Sequence, residues 1–369
     1  MNKQLHIVHT EASVGWGGQE IRILSEARGM LARGHRVTLL CPSHARIYEE
    51  AQKQNIPAVA LPIGRKKLRG MLALRSWLKQ NPVDVINTHS STDSWLAALA
   101  CATLRHAPPI VRTRHISAPT PNNRTTRWLY QTATKHIVTT GERLRQALIN
   151  HNGYDPARIT SVPTGIDGTR FQPGDKAAAR QQCGLPEGGL LLGIIATMRS
   201  WKGHLYLLEA FASLKLPDAR LLIVGEGPYR GHIEDKIAEL GLQDKVIMPG
   251  NQSDVVPWLQ SLDIFVLPSY ANEGVPQAVL QAMFCGLPVV STPVGSITEA
   301  VQDQQTGFIV EPKNSEVLAQ AMGRLVADPA LREAFGRAGR EHVSNHFAYS
   351  AMLDNMERIF TQAAHGRQD

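Results

Sequence analysis

Short apolar runs alternate with amphipathic stretches along almost the whole chain, and this alternation narrows the possible folds more than any other feature. In the first half, "LHIVHT", "RVTLLCP", "AVALPI", "DVINTH", "PIVRTRH" and "HIVTTG" read as strands. Helical patterns such as "QEIRILSEARGMLARG" and "LRGMLALRSWLKQ" lie between them. The first of these places Ile21, Leu24 and Ala27 on one helical face, extended by Met30 and Leu31. Strands alternating with helices call for parallel βαβ units. "ITSVPTGIDGTRFQPGD" interrupts the rhythm and reads as a linker, being rich in Gly, Pro, Thr and Asp. The alternation then resumes with "LLLGIIATM", "ARLLIVGEG", "VIMPG", "DIFVLPS", "PVVST" and "GFIV", and the stretch from "NSEVLAQAM" to Phe360 reads as wholly helical. The expected architecture is two doubly wound α/β domains in tandem, residues 1–163 and 164–347. Ligands of such sheets gather at the carboxyl ends of the strands, so the cleft between two such domains is the expected site.

A chain of 369 residues with 43% apolar content is long enough for two cores of this kind. Its four cysteines are scattered with no C-x-x-C pair, which argues against a disulfide framework or a zinc site and for a reducing compartment. The N-terminus lacks the pattern of a signal peptide. The longest apolar runs, such as "WLAALACATL", fall short of the roughly 20 residues a membrane span needs. A cytoplasmic protein is expected, at most attached to the inner membrane face. Charge is unevenly divided. Residues 1–165 hold 22 Lys and Arg against 9 Asp and Glu, whereas residues 166–369 hold 17 against 23. A basic first half suits an anionic partner.

Several strand ends carry residues suited to chemistry. "HTEASVGWGGQE" follows the first strand, and Gly17 and Gly18 would let a ligand approach the backbone at a helix N-terminus. The pattern is not G-x-G-x-x-G, which argues against a dinucleotide cofactor. "IATMRSWKGH" places Arg199 and Lys202 after a strand, where two cations suit a diphosphate. A solvated loop is the alternative. "NEGVPQAVLQAM" sets Glu273 and Gly274 between a strand and a helix, with Pro276 in the first turn. A carboxylate there gains from the helix dipole in any case. His115 ends the strand "VRTRH", where Arg112 and Arg114, if close, would keep it neutral. No metal-ligand set is visible. "GRKKLRGMLALRSWLKQ" opens with four cations in five residues. It reads as a solvated βαβ helix or as a segment, Arg65 to Lys79, that lies on anionic lipid with Leu68, Met71, Leu72 and Trp77 toward the bilayer. Nothing in it resembles a nucleic-acid recognition motif.

Taken in order, these motifs resemble the retaining glycosyltransferases of family 4, the "group 1" enzymes of the GT-B fold, over nearly the whole chain. The pieces are "GWGGQE", "TGID" with Phe171, "RSWKG", "VGEGP", "PSYANEGVPQAVLQAM", "GLPVVSTPVGSITE" and "TGFIVEP". The resemblance implies two Rossmann-like domains facing a cleft, the first for the acceptor and the second for a nucleotide-sugar donor. It also implies that the C-terminal helix, about residues 348–369, packs back on the first domain. Arg199 and Lys202 would hold the donor diphosphate without a metal, and no separate cofactor is implied. Glu273 would bind hydroxyls of the donor sugar, and N–H groups near Gly274, Val275 and Pro276 would touch its phosphates. Glu226, Gly227, Gly17 and Gly18 would complete the donor site, and His115 would lie near the reacting carbon. The acceptor would be a glycan or a lipid-linked molecule, and a lipopolysaccharide precursor fits an anionic one. One position departs from the family pattern: its second Glu, which accepts from the donor's ribose, is Gln281 here. An amide accepts more weakly than a carboxylate and can also donate. A nucleotide-sugar 2-epimerase and a non-catalytic nucleotide-sugar or glycan-binding protein share the architecture and stand as alternatives.

Overall fold

The computed structural model describes residues 4–116 and 118–366. The chain divides into two compact units, the first formed by residues 1–164 with 350–369 and the second by 165–349.

The first unit is built on a parallel sheet of β1 (His6–Thr10), β2 (Arg36–Cys41), β3 (Ala58–Ala60), β4 (Val85–Thr88), β5 (Ile110–Arg114), β6 (His136–Thr139) and β7 (Ile159–Ser161). Their order is β3-β2-β1-β4-β5-β6-β7. Helices cover both faces of such a sheet, which is why its central strands are buried along their length. The strand direction of travel reverses between β1 and β4, and that is where a crevice opens at the carboxyl edge. Two details differ from the sequence reading. Ile159–Ser161, read as linker, pairs with β6 as the last strand of the sheet. In the helix Gly18–Ala32 the buried face is Ile23, Leu24, Ala27 and Met30 together with Arg22 and Glu26, while Ile21 is 40% exposed. A charged pair has taken the place that apolar periodicity assigned to Ile21.

The second unit contains β8 (Leu191–Ile195), β9 (Arg220–Val224), β10 (Val246–Gly250), β11 (Ile264–Leu267), β12 (Val289–Ser291) and β13 (Gly307–Ile309), in the order β10-β9-β8-β11-β12-β13. All pairs are parallel, and the reversal falls between β8 and β11. Leu192, Ile194, Leu222, Phe265 and Leu267 from the strands meet Val279, Leu280 and Met283 from the helix Gln277–Phe284 in one core. The C-terminal stretch is not one helix. It breaks at Asp328, whose side chain caps the helix Pro329–His346 by accepting from Leu331 N at 2.9 Å. It breaks again at Phe347 and Ala348, where the outgoing and returning chains lie side by side: Ile166 N donates to Phe347 O at 2.9 Å and Tyr349 N to Ile166 O at 3.1 Å. The last helix, Tyr349–His365, sits against the first unit. Asp354 and Glu357 each lie 2.6 Å from the Arg33 guanidinium, and Phe360 packs against the His9 ring.

Candidate active site

In the second unit, the two strands that flank the reversal each deliver one charged group. After β8 the chain forms a single 3-10 turn, Ser200–Lys202, and after β11 it runs through an irregular loop to the helix Gln277–Phe284. The Lys202 ammonium and the Glu273 carboxylate meet at 2.7 Å, with their side chains 18% and 6% exposed. Two glycines let the supporting segments come this close. Gly203 has φ 80°, and a Cβ there would stand 2.1 Å from Pro268 O. Gly295 has φ 59°, and a Cβ there would stand 2.2 Å from Glu273 O. Both values lie in the left-handed region that disfavours side chains, so the backbone alone explains glycine at both positions. Hydrogen bonds complete the clamp: Tyr270 N donates to Trp201 O at 2.8 Å and Ser296 N to Gly274 O at 3.1 Å. Asn272, at φ 58°, turns the loop just before Glu273.

The remaining predicted residues of this unit cluster at the same sheet edge. Arg199 is exposed and lies over the Trp201 ring at 5.7 Å. The next turn, with Glu226 and Gly227, is tied to the Arg199 turn through Met198 N to Glu226 O at 2.9 Å and Tyr229 N to Met198 O at 3.1 Å. Glu226 itself is engaged by Arg230. Among the described residues the N–H groups of Gly274 and Val275 donate to nothing. Pro276 has no N–H to offer and is the N-cap of its helix rather than part of its first turn. Gln281 lies one turn into that helix, half-buried, and its amide bonds to nothing among the described residues. A cation, a carboxylate, open backbone donors and an uncommitted amide thus share one edge. That set can neutralise an anion and accept hydroxyls side by side.

In the first unit, Gly17 is extended at φ −175° and caps the helix that begins at Gly18, with no side chain completing the cap. His115 follows β5 and is half-buried. Burial holds its pKa well below the usual value of 6.5, helped by Arg22 and Arg114. The expected contribution of Arg112 is absent from these causes, and Arg22, from the helix after the glycine loop, acts in its place. Arg22 and Glu26 form a fully buried pair at 3.6 Å. Arg22 also donates to Val162 O at 2.7 Å and Thr164 Oγ1 at 3.2 Å, and Asn87 Nδ2 donates to Glu26 at 3.1 Å.

Sequence reasoning missed two groups at this edge. Glu11, directly after β1, is fully buried and accepts from Ser13 N at 2.7 Å and from Gln19, so it organises the glycine loop. Burial and the neighbouring Asp93 charge push its pKa up to about 8. Asp93 accepts from Thr10 Oγ1 at 2.7 Å, His89 N at 2.9 Å and Ser90 N at 2.8 Å. These bonds suit a carboxylate and offset part of the rise that burial imposes on it. The second group is the pair His9 and His89, which join the predicted His115. His9, His89 and His115 stand at the ends of β1, β4 and β5, three adjacent strands, with N···N separations of 3.0 Å from His9 to His89 and from His89 to His115. The signal was present in "LHIVHT", "DVINTH" and "PIVRTRH", three strand-like stretches that each carry a histidine at or next to the end. Among the described residues no three His, Cys, Asp or Glu converge where they could hold a metal ion.

Two parallel doubly wound units, each carrying polar groups where its strand order reverses, define the GT-B type of glycosyltransferase fold. Comparison with known proteins makes the family explicit. Residues 16–170 match the model for Glycosyltransferase Family 4, and residues 175–342 match that for Glycosyl transferases group 1. The chain belongs to this family of glycosyltransferases. It is 28% identical to a D-inositol 3-phosphate glycosyltransferase of Stackebrandtia nassauensis, over 95% of this chain and 88% of that one. Among solved structures it resembles a glycosyltransferase from Rickettsia africae ESF-5, with a TM-score of 0.88 and 23% identity over the whole of both chains. It also resembles Anabaena HepE in complex with UDP-glucose, with a TM-score of 0.86 and 20% identity over 97% of this chain and 100% of that one. At these identities the solved structures speak for the fold.

Proposed function

We propose that this glycosyltransferase moves a sugar from a nucleotide-sugar donor, held by the second unit, to an anionic glycan or lipid-linked acceptor, with retention at the anomeric carbon. The observation that carries this reading is the Lys202–Glu273 pair at the β8/β11 reversal, beside the free N–H groups of Gly274 and Val275. Breaking a sugar–phosphate bond leaves an electron-poor anomeric carbon and a departing diphosphate. In this reading Lys202, Arg199 and the backbone donors take up the developing negative charge. Glu273 accepts hydrogen bonds from sugar hydroxyls. The acceptor hydroxyl oxygen bonds to the anomeric carbon on the face the phosphate leaves, and its proton passes to the leaving phosphate oxygen. Gln281 receives the ribose through a neutral amide, and His115 is a substrate-facing residue.

The basic first unit supports an anionic acceptor, a lipopolysaccharide precursor being one candidate. The helix Leu68–Gln80 supports a lipid-linked one. Leu68 and Leu72 are 66% and 49% exposed beside Arg65, Lys66, Lys67 and Arg69, all exposed. Met71 and Trp77, expected on the same face, instead pack partly against the core. The surface offered to an anionic bilayer is therefore the first turn and its approach rather than the whole helix.

Calorimetry with UDP, GDP, ADP and CMP, on wild type and Gln281→Glu, tests the donor assignment. One nucleotide should bind selectively, and Gln281→Glu should tighten it about tenfold as a charge-assisted bond replaces a neutral one. UDP is the natural first ligand, given the UDP-glucose bound by the Anabaena relative. Turnover should then require an acceptor and yield a product of unchanged anomeric configuration by NMR. Donor conversion with no acceptor present would favour the epimerase. Turnover unaffected by Glu273→Ala would remove this site from catalysis.

A further inference from the structure

The three strand-end histidines form a continuous chain through the first unit, and its buried end decides what its outer end can do. His9 Nδ1 faces His89 Nε2 and His89 Nδ1 faces His115 Nε2, each at 3.0 Å. The ring centroids are 5.3 and 5.2 Å apart, which is the N···N distance plus the two ring radii, so the rings meet edge to edge along the hydrogen bonds. All three rings are held neutral by burial. A neutral imidazole carries one proton, so a chain of two N–H···N bonds has only two arrangements. Either all three protons sit on Nδ1 or all three sit on Nε2.

The inner end separates them. His9 is fully buried and its Nε2 has no partner. Protons on Nε2 would strand a buried N–H there, whereas protons on Nδ1 strand only a lone pair. Orphaned buried N–H groups are the rarer and costlier defect. The Phe360 ring stands perpendicular to His9 with centroids 6.3 Å apart, and an N–H···π contact of that kind is second-order. We infer that His9 and His89 are positioning residues that fix the proton of His115 on Nδ1. His115 then presents a hydrogen-bond donor to a substrate oxygen and cannot act as a base through that nitrogen. Its Nε2 is already occupied by His89. The functional half of this inference rests on the proposed reading of His115 as substrate-facing.

Two measurements test the two halves separately. In 15N-histidine NMR of the whole protein at neutral pH, the His9, His89 and His115 signals should all show protonated Nδ1 and bare Nε2. A protonated Nε2 on His115, or an imidazolium, overturns the inference without reference to activity. The second measurement is turnover. Asparagine places an amide near the position of histidine Nδ1 and can donate, whereas aspartate can only accept. His115→Asn should therefore keep turnover within about tenfold of wild type and His115→Asp should lose more than 100-fold. Rescue by Asp rather than Asn would make His115 a base and refute the inference. If both variants turn over like wild type while the NMR pattern holds, the substrate-facing reading fails and the tautomer assignment stands. His89→Phe, checked for folding by circular dichroism, should abolish the hydrogen-bonded signature of His115 Nε2 and cut turnover about tenfold. A folded His89→Phe protein with unchanged turnover would show that His89 does not position His115.

Discussion

Glu11 couples the glycine loop to pH, and the size of the effect follows from its burial. The carboxyl is fully buried, and its pKa rises from an ordinary 4.5 to about 8. The unfolded chain releases this proton near pH 4.5, while the folded protein keeps it until about pH 8. Within that window the folded state binds the extra proton, so stability falls as pH rises. At about 1.4 kcal/mol per pH unit, the loss across the window is about 5 kcal/mol. Below the window the group costs nothing. Glu11→Gln removes the titration. Its amide oxygen can still accept from Ser13 N, and Gln19 can turn its own amide to accept from the new NH2 group. Stability can be followed by urea denaturation with tryptophan fluorescence in a Trp201→Phe/Trp258→Phe background. The four remaining tryptophans, Trp16, Trp77, Trp95 and Trp128, all belong to the first unit. Between pH 5 and 8 the unfolding free energy of E11Q should fall less steeply by about 1.4 kcal/mol per unit, and E11Q should be the more stable protein at pH 8. Glu26, also raised by burial, keeps its own slope in both proteins. Equal slopes for wild type and E11Q would refute the neutral, buried Glu11 described here.

Other outcomes follow from the same geometry. Lys202→Met removes the cation beside a carboxylate only 6% exposed, and should weaken binding of the preferred nucleoside diphosphate by about 10- to 100-fold in calorimetry; unchanged affinity would take Lys202 out of the phosphate site. Arg22→Met leaves the Glu26 carboxyl in the interior without its counter-charge and should cost about 3–5 kcal/mol in urea denaturation. Arg22→Met/Glu26→Leu should recover more than half of that, and a double variant no better than the single one would assign the loss to the bonds from Arg22 to Val162 and Thr164 instead. Leu68→Glu/Leu72→Glu should abolish co-sedimentation with phosphatidylglycerol vesicles, because it removes the apolar side chains offered to the bilayer and each new carboxylate offsets one basic contact, worth about 1 kcal/mol near such a surface. Wild type and variant sedimenting alike would exclude this face.

Parallel α/β architecture was readable from the chain because its signal is local. The central strands of the second unit are continuous apolar runs, and the covering helices repeat an apolar face within a few residues. Arg199, Lys202 and Glu273 were likewise visible, since a charged residue just past an apolar run marks a strand end whatever the order of the strands. What lies across the sheet was not visible. Ile21 and Arg22 are neighbours, and spacing alone put the apolar one inside; the structure buries Arg22 because Glu26, Val162 and Thr164 satisfy it there. Ile159–Ser161 looked like linker because a three-residue edge strand has too little periodicity to show. The pairing of Lys202 with Glu273, 71 residues apart, depends on β8 and β11 being adjacent. The histidine chain joins residues 80 and 26 positions apart, and it exists only because β1, β4 and β5 lie side by side. Local composition decides what a strand end carries, but strand order is set by packing over the whole sheet, and only that order decides which ends meet.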